Sequence, residues 1–112
     1  MQFLLLVLNK VELLDTLLEK LMASGICGAT ILNSTGMVRE LAKNNEDYPI
    51  FGTLRMLLDP DRKESKTLFM VLKDEKVEDV KKVIREVMGD MSRPDTAVMF
   101  TLPVLTAEGV EF

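Results

Sequence analysis

The sequence predicts one α+β domain of 112 residues, in which two β-α-β units follow one another. Two patterns carry this prediction. Short apolar runs bounded by polar or glycine-containing turns indicate strands, and between them apolar residues recur at helical spacing. The composition, 47% apolar and 29% charged, is typical of a globular domain rather than of a disordered chain.

The first unit begins with an apolar run that predicts a strand over residues 2–8. A helix follows, for which Asn9 and Glu12 have the spacing of a capping box. Gly25 is expected to end that helix, because glycine readily adopts the left-handed conformation of a C-cap. Residues 28–34 then predict the second strand.

A long connection, residues 36–66, separates the two units. It is polar at first, but five apolar residues at helical spacing predict a short helix over residues 51–58: Ile50, Phe51, Leu54, Leu57 and Leu58. Connections of this length are uncommon in small domains and are often functional.

The second unit repeats the order of the first. It predicts a strand over 67–72, a helix over 75–88 capped by Asp74, and a last strand over 97–102 ended by Pro103. This order is the ferredoxin-like βαβ-βαβ arrangement, a four-stranded antiparallel sheet with helices on one face.

Both faces of the predicted sheet are apolar. In the first strand Phe3, Leu5 and Val7 alternate with Leu4, Leu6 and Leu8, so neither face is polar. Since a monomer does not tolerate a large open apolar face, we expect a second copy of the chain to bury it. The alternative is that residues 36–66 fold back over the sheet.

Several classes of chemistry have no residues to support them. The chain has no histidine, and its one cysteine, Cys27, lies in an apolar stretch where we expect a buried structural role. The net charge of −4 gives no general attraction for nucleic acid. No phosphate-binding glycine loop or paired-cysteine motif is present, so we predict no catalytic residue, no metal site and no enzyme activity.

The first apolar run is too short for a membrane span and lacks the features of a secretory signal. Together with the unpaired cysteine, this leads us to expect a cytoplasmic protein without membrane insertion. Three arginines stand in predicted loops, where each could bind a phosphate or carboxylate or could simply be an exposed surface residue: Arg39, Arg55 and Arg93.

Two stretches resemble the nitrogen-regulatory P-II family and its P-II-like relatives. Residues 28–40, GATILNSTGMVRE, are similar to the family's second strand and the G-F-G-R-Q signature at the base of its long T-loop. Residues 100–104, FTLPV, are similar to the family's F-V-L-P-V in the last strand. The order of elements is similar over nearly the whole chain.

The resemblance implies a signalling homotrimer whose sheet faces pack together. It implies that a small anionic effector, of the adenine-nucleotide type, binds in clefts between subunits, at Gly36, Met37, Val38, Arg39, Glu40 and Arg93. It also implies that the 36–66 loop, with Tyr48, Phe51 and Arg55, contacts a regulated partner, either a transporter or an enzyme.

The sequence departs from the family at several points. Val38 stands where the family has a glycine, and Glu40 replaces a glutamine. Residues 92–97 contain no glycine, and residues 105–112 contain no basic residue, although the family has both. An alternative function is therefore an amino-acid-sensing or interaction module on the same fold, without a nucleotide. An acylphosphatase would share the fold, but no glycine-rich loop ends in an arginine.

Overall fold

The computed structural model of the chain describes residues 1–44 and 64–112. Four strands and three α-helices lie within this part of the chain. In chain order they are β1 (Gln2–Leu8), α1 (Leu14–Ala23), β2 (Ala29–Ser34), α2 (Met37–Asn44), β3 (Ser65–Leu72), α3 (Asp74–Met88) and β4 (Ala97–Pro103). No helix in these two ranges is both long and apolar enough to span a membrane.

The strands form one sheet in the order β2-β3-β1-β4, and every neighbouring pair is antiparallel. At the centre of the sheet, Leu5 of β1 lies opposite Phe69 of β3 and Phe100 of β4. The predicted α+β class and four-stranded antiparallel sheet are thereby confirmed. The strand predictions were accurate because each strand is a short apolar run between turns.

One face of the sheet is covered by α1 and α3. Leu4, Leu6 and Leu8 of β1 are fully buried there, together with Leu68 of β3. The helices contribute one apolar stripe each to the same core: Leu17 and Leu21 from α1, and Val77, Val80, Ile84 and Met88 from α3. At about 25 cal/mol per Å² of buried apolar surface, this core is the main source of the domain's stability.

The boundaries of the strands differ slightly from the prediction where polar residues extend them. β3 begins at Ser65 rather than Thr67, because Ser65 and Lys66 pair with Ser34 and Asn33 of β2. Hydrophobic patterning cannot detect such polar ends of a strand, since their backbone hydrogen bonds do not depend on the side chain.

The start of the first helix was predicted wrongly. Asn9 does not cap it; instead a one-turn 3₁₀ helix, Val11–Leu13, precedes α1, and no side chain caps either of them. The carboxamide oxygen of Asn9 accepts a hydrogen bond from the Ser65 hydroxyl at 2.6 Å. Because the Asn9 side chain bonds to the neighbouring strand, it is not available to cap the helix as a capping box requires. The predicted left-handed Gly25 is confirmed, with φ of 86°.

The sequence predicts a loop immediately after β2. The structure has a helix, α2, at the start of this connection instead. α2 begins just after Gly36, whose carbonyl accepts a hydrogen bond from the Glu40 N–H at 3.0 Å. The residues from Met37 onward are mostly good helix formers, which explains the helix. The predicted helix over 51–58, and the partner-loop residues Tyr48, Phe51 and Arg55, lie outside the described residues.

Cys27 is exposed, which corrects the prediction of a buried structural cysteine. It lies between the end of α1 and the start of β2, in a loop where Gly25 and Gly28 are also exposed. The apolar neighbours in the sequence suggested burial, but only Ile26 of this loop packs against the core.

Candidate functional site

The buried polar side chains of the described residues gather at one end of the sheet. There β1 and β2 end while β3 and β4 begin, and the N–H groups of Asn9 and Lys10 both donate to the Thr96 carbonyl, at 2.9 and 3.1 Å. Three polar residues are buried as a whole in the described ranges, Arg39, Ser65 and Thr96, and all three lie at this end. We call this region, with Asn9 and Asp95, the polar edge.

Short hydrogen bonds satisfy the hydroxyl groups of this end of the sheet. Ser65 donates to Asn9 at 2.6 Å, and the Thr96 hydroxyl lies 3.4 Å from the Pro94 carbonyl. Nearby, the hydroxyls of Ser34 and Thr67 are 2.8 Å apart. Such bonds are required because an unpaired polar group costs about 1–3 kcal/mol when it is buried.

The centre of the polar edge is an ion pair between Arg39 and Asp95. The Arg39 Nη2 donates to Asp95 Oδ2 at 2.5 Å, and the two side chains are only 8% and 6% exposed. Arg39 is supplied by α2, which follows β2 at one margin of the sheet, whereas Asp95 directly precedes β4 at the other margin. The pair therefore connects the two margins across the ends of the central strands.

Two features of this pair distinguish it from a surface salt bridge. Asp95 has φ of 60°, a left-handed conformation that aspartate adopts more readily than most residues but that still costs energy. The Nε of Arg39 is buried and has no hydrogen-bond partner among the described residues. A buried guanidinium with a free donor can bind a carboxylate or phosphate oxygen.

The structure brings Arg39 to a buried position but leaves its predicted companions exposed. Gly36 and Glu40 are exposed, Met37 is 76% exposed, and Val38 is half-buried. They share the start of α2, so they lie close to Arg39 along the chain without lying beside it in the interior.

Arg93, the second predicted cation, lies in the turn before β4. Its side chain is 77% exposed, and its Nε is 3.9 Å from Asp90 Oδ2. Asp90 also accepts hydrogen bonds from the hydroxyl and the N–H of Ser92, at 2.5 and 3.0 Å. The side-chain and then the backbone hydrogen bond from Ser92 lower the pKa of Asp90 below its ordinary value of 3.8.

Sequence reasoning missed Asp95, Asn9 and Ser65 as members of this site. Asp95 occupies a Pro-Asp-Thr turn, and aspartate in such turns commonly takes a left-handed or side-chain-bonded conformation, which is the one available signal. That Asp95 pairs with Arg39, 56 residues away, has no such signal in the sequence.

No family model matches the sequence, and no curated protein matches it. The residues themselves therefore decide what the site can do. Within residues 1–44 and 64–112, no group of three or more cysteine and acidic side chains could hold a metal ion. The chemistry that the polar edge offers is the binding of an anion by a buried guanidinium.

The face of the sheet opposite α1 and α3 forms a second candidate surface. Three neighbouring strands, β3, β1 and β4, place alternate residues in a grid of three rows: Val71, Phe3 and Leu102; Phe69, Leu5 and Phe100; Thr67, Val7 and Val98. Phe3 and Phe69 stack diagonally with ring centroids 5.5 Å apart. Phe100 and Leu102 are 51% and 55% exposed. We call this set the open face.

Proposed function

We propose that the chain is a P-II-like regulatory protein with a ferredoxin-like fold that assembles as a homotrimer through the open face. In this proposal a small anionic effector of the adenine-nucleotide type binds near Arg39. The segment 36–66 then contacts a regulated transporter or enzyme. The observation that carries the proposal is the buried arginine at the base of that segment, whose Nε has no hydrogen-bond partner among the described residues.

The strand order supports the ferredoxin-like part of the proposal. Two β-α-β units whose strands interleave as β2-β3-β1-β4, with α1 and α3 on one face, correspond to the split β-α-β arrangement. The resemblance of residues 28–40 to the P-II signature falls on β2 and the first half of α2, next to the polar edge.

The open face supports assembly. With strands about 4.8 Å apart and alternate residues about 6.8 Å apart, its nine-residue grid covers on the order of 300 Å². Eight of the nine side chains are apolar, Thr67 being the exception. A patch of this size and composition would form the apolar centre of an interface, for which stable complexes need about 800 Å² per partner.

The position of Arg39 supports effector binding at the same end as the 36–66 segment. Arg39 lies in α2, which forms the start of that segment, so an anion that binds the guanidinium would change the contacts that hold α2 at the polar edge. Arg93 lies in the turn that holds Asp95 and is exposed, so it could approach the same anion from outside.

The Arg39–Asp95 pair also favours a second candidate function, an amino-acid-sensing or interaction module without a nucleotide. Asp95 already neutralises the charge of Arg39, so a polyphosphate would have to compete with a buried carboxylate. The turn over 92–97 contains no glycine, and residues 105–112 contain no basic residue, so few cations and little free backbone remain for phosphates.

Two measurements test the proposal. Light scattering at micromolar concentration should give about three times the 12.6 kDa chain mass, and a clean monomer would contradict assembly. Calorimetric titration with ATP, ADP, AMP, cyclic nucleotides and amino acids identifies the effector class. Saturable nucleotide binding that Arg39→Gln abolishes supports the first candidate, provided that thermal unfolding shows the variant to be folded. Binding of amino acids alone supports the second.

A matched variant separates a direct role of Arg39 from a general charge effect. Arg85 is an exposed arginine on α3 that is not part of the polar edge, so Arg85→Gln should leave nucleotide affinity unchanged. If Arg39→Gln and Arg85→Gln weaken binding equally, the effector does not use the buried guanidinium. This result would contradict the proposed site without affecting the proposed assembly.

A further inference from the structure

A cavity of about 240 Å³ lies at the end of the sheet opposite the polar edge. Three segments form its walls: the loop 25–28 before β2, the residues 71–73 that end β3 and join it to α3, and the tail residues 111 and 112. The loop and the end of β3 are adjacent because Ala29, the first residue of β2, pairs with Met70.

The lining combines an apolar surface with two cations. Ile26, Val71, Leu72 and Phe112 provide the apolar part, and Lys73 and Lys76 lie at its margin. The Lys73 ammonium lies 5.5 Å from the centre of the Phe112 ring, a cation–π distance that places the charge beside the apolar part. An anion with an apolar body would match both parts at once.

Neither of the two lysines forms an ion pair with another described residue. Elsewhere the structure pairs lysines with acceptors: Lys81 lies 3.4 Å from Glu78, and Lys66 is bonded to Asn33. In the described ranges no carboxylate lies within 4.0 Å of the Lys73 or Lys76 ammonium. Glu111 also lines the cavity, but in the described ranges it lies beyond ion-pair distance of both ammonium groups, so both can donate to an anion.

We infer that this cavity is a binding site for a small organic acid. The carboxylate would bind between Lys73 and Lys76, and the apolar body would contact Val71, Leu72 and Phe112. Pockets for drug-sized ligands measure about 300–1,000 Å³, so a cavity of 240 Å³ suits a smaller molecule than a nucleotide. The site is thus distinct from the proposed effector site, and neither depends on the other.

A direct test uses 3-phenylpropionate as the probe and its uncharged amide, 3-phenylpropanamide, as the control ligand. In a ¹⁵N-labelled full chain the acid should shift the amide signals of residues 25–28 and 71–76 with saturation, whereas the amide should bind at least about tenfold more weakly, because it loses the charge-assisted contacts. No saturable shift at 10 mM, or equal binding of acid and amide, would overturn the inference.

Charge variants show whether the lysines hold the acid. The double variant Lys73→Gln, Lys76→Gln should bind the probe about tenfold or more weakly than the wild-type chain, since charge-assisted hydrogen bonds contribute about 1.5–3 kcal/mol each. Lys82→Gln, an exposed lysine of α3 that does not line the cavity, is the matched control and should leave the affinity unchanged. Equal losses in both variants would mean that the acid senses only the overall charge.

The only cysteine of the chain supplies an independent readout, because Cys27 is exposed and lines the cavity. Its thiolate attacks the aromatic disulfide of 5,5′-dithiobis(2-nitrobenzoate), which forms a mixed disulfide and releases one coloured thiolate. Because the lysines attract this dianionic reagent, Cys27 should react with it about fivefold faster in the wild-type chain than in the double lysine variant. The reaction of Cys27 with uncharged 4,4′-dithiodipyridine should have the same rate in both. Saturating 3-phenylpropionate should slow both reagents. Identical rates in the wild-type and variant chains, without protection by the acid, would contradict a site at this position.

Discussion

The two faces of the sheet are built from the same residue types, but within residues 1–44 and 64–112 helices cover only one of them. Leu6 and Leu5 are neighbours in β1, yet Leu6 is fully buried beneath α1 and α3 whereas Leu5 is half-buried on the open face. The apolar content of a strand therefore does not decide how deeply each of its residues is buried. The position of the helices decides it: α1 and α3 lie over Leu6, and within the described residues they leave the open face uncovered.

The largest effect is expected from a charge on the covered face. Leu6→Asp would place an unpaired carboxylate among fully buried side chains, at a cost of at least about 5 kcal/mol. Because small domains are stable by about 5–15 kcal/mol, the variant should be largely unfolded. Circular dichroism and urea denaturation measure this directly. A cooperative transition near that of the wild-type chain would contradict the described core.

The same substitution one residue earlier sharpens the comparison. Leu5→Asp lies at the centre of the open-face grid, so an isolated protomer should tolerate it, while an assembly through this face should lose about 4–5 kcal/mol of association free energy. Light scattering should show a folded species of about 12.6 kDa. If Leu5→Asp remains assembled, the copies associate through another surface. If it unfolds as Leu6→Asp does, the open face is covered within the chain.

The next effect concerns the polar edge, where both faces of the sheet end. Asp95→Asn keeps the shape of the side chain and its tolerance of a left-handed backbone, but it leaves the buried Arg39 charge without its carboxylate. We expect a loss of about 3 kcal/mol in the free energy of unfolding, measured by urea denaturation. Glu78→Gln, which removes the exposed Glu78–Lys81 pair, should cost no more than about 0.5 kcal/mol.

A double variant distinguishes the ion pair from other roles of Asp95. Combining Asp95→Asn with Arg39→Met removes both charges, so the double variant should be more stable than the sum of the two single losses predicts. Additive losses would mean that the two side chains do not stabilise each other, in spite of their contact at 2.5 Å.

The sequence was sufficient for the strands and for the two long helices, because their signals are local. A run such as residues 2–8 shows its strand directly, and the stripe of α3 shows its helix. The exposed position of Cys27 could not be predicted in this way, because it depends on how the loop over 25–28 meets the end of β3 rather than on its apolar neighbours.

The candidate site was predictable only in part, for the same reason. Arg39 was singled out from a loop signature, but its burial and its pairing with Asp95 depend on how α2 meets the turn before β4, 56 residues away. Hydrophobic periodicity contains no information on such a contact, nor on the bond between Ser65 and Asn9. Polar contacts between segments that are distant in sequence therefore require the fold before they can be recognised.

The smallest effect is expected at the turn beside Arg93, which neither face of the sheet buries. Hydrogen bonds from Ser92 lower the pKa of Asp90 below 3.8, so this carboxylate stabilises the folded state above that pH, and the contribution disappears as the pH falls through the lower folded pKa. Ser92→Ala should raise the pKa of Asp90 toward 3.8, as followed by ¹³C NMR titration of the carboxyl group. Near pH 6 the variant should be slightly less stable than the wild-type chain. At a pH low enough to protonate Asp90 in both proteins, the two should be equally stable.

Ser24→Ala is the control. It removes a hydroxyl that donates to the Lys20 carbonyl in a different turn, and it should leave the titration of Asp90 unchanged. A pKa for Asp90 that does not respond to Ser92→Ala would show that the hydrogen bond from the Ser92 hydroxyl does not persist in solution.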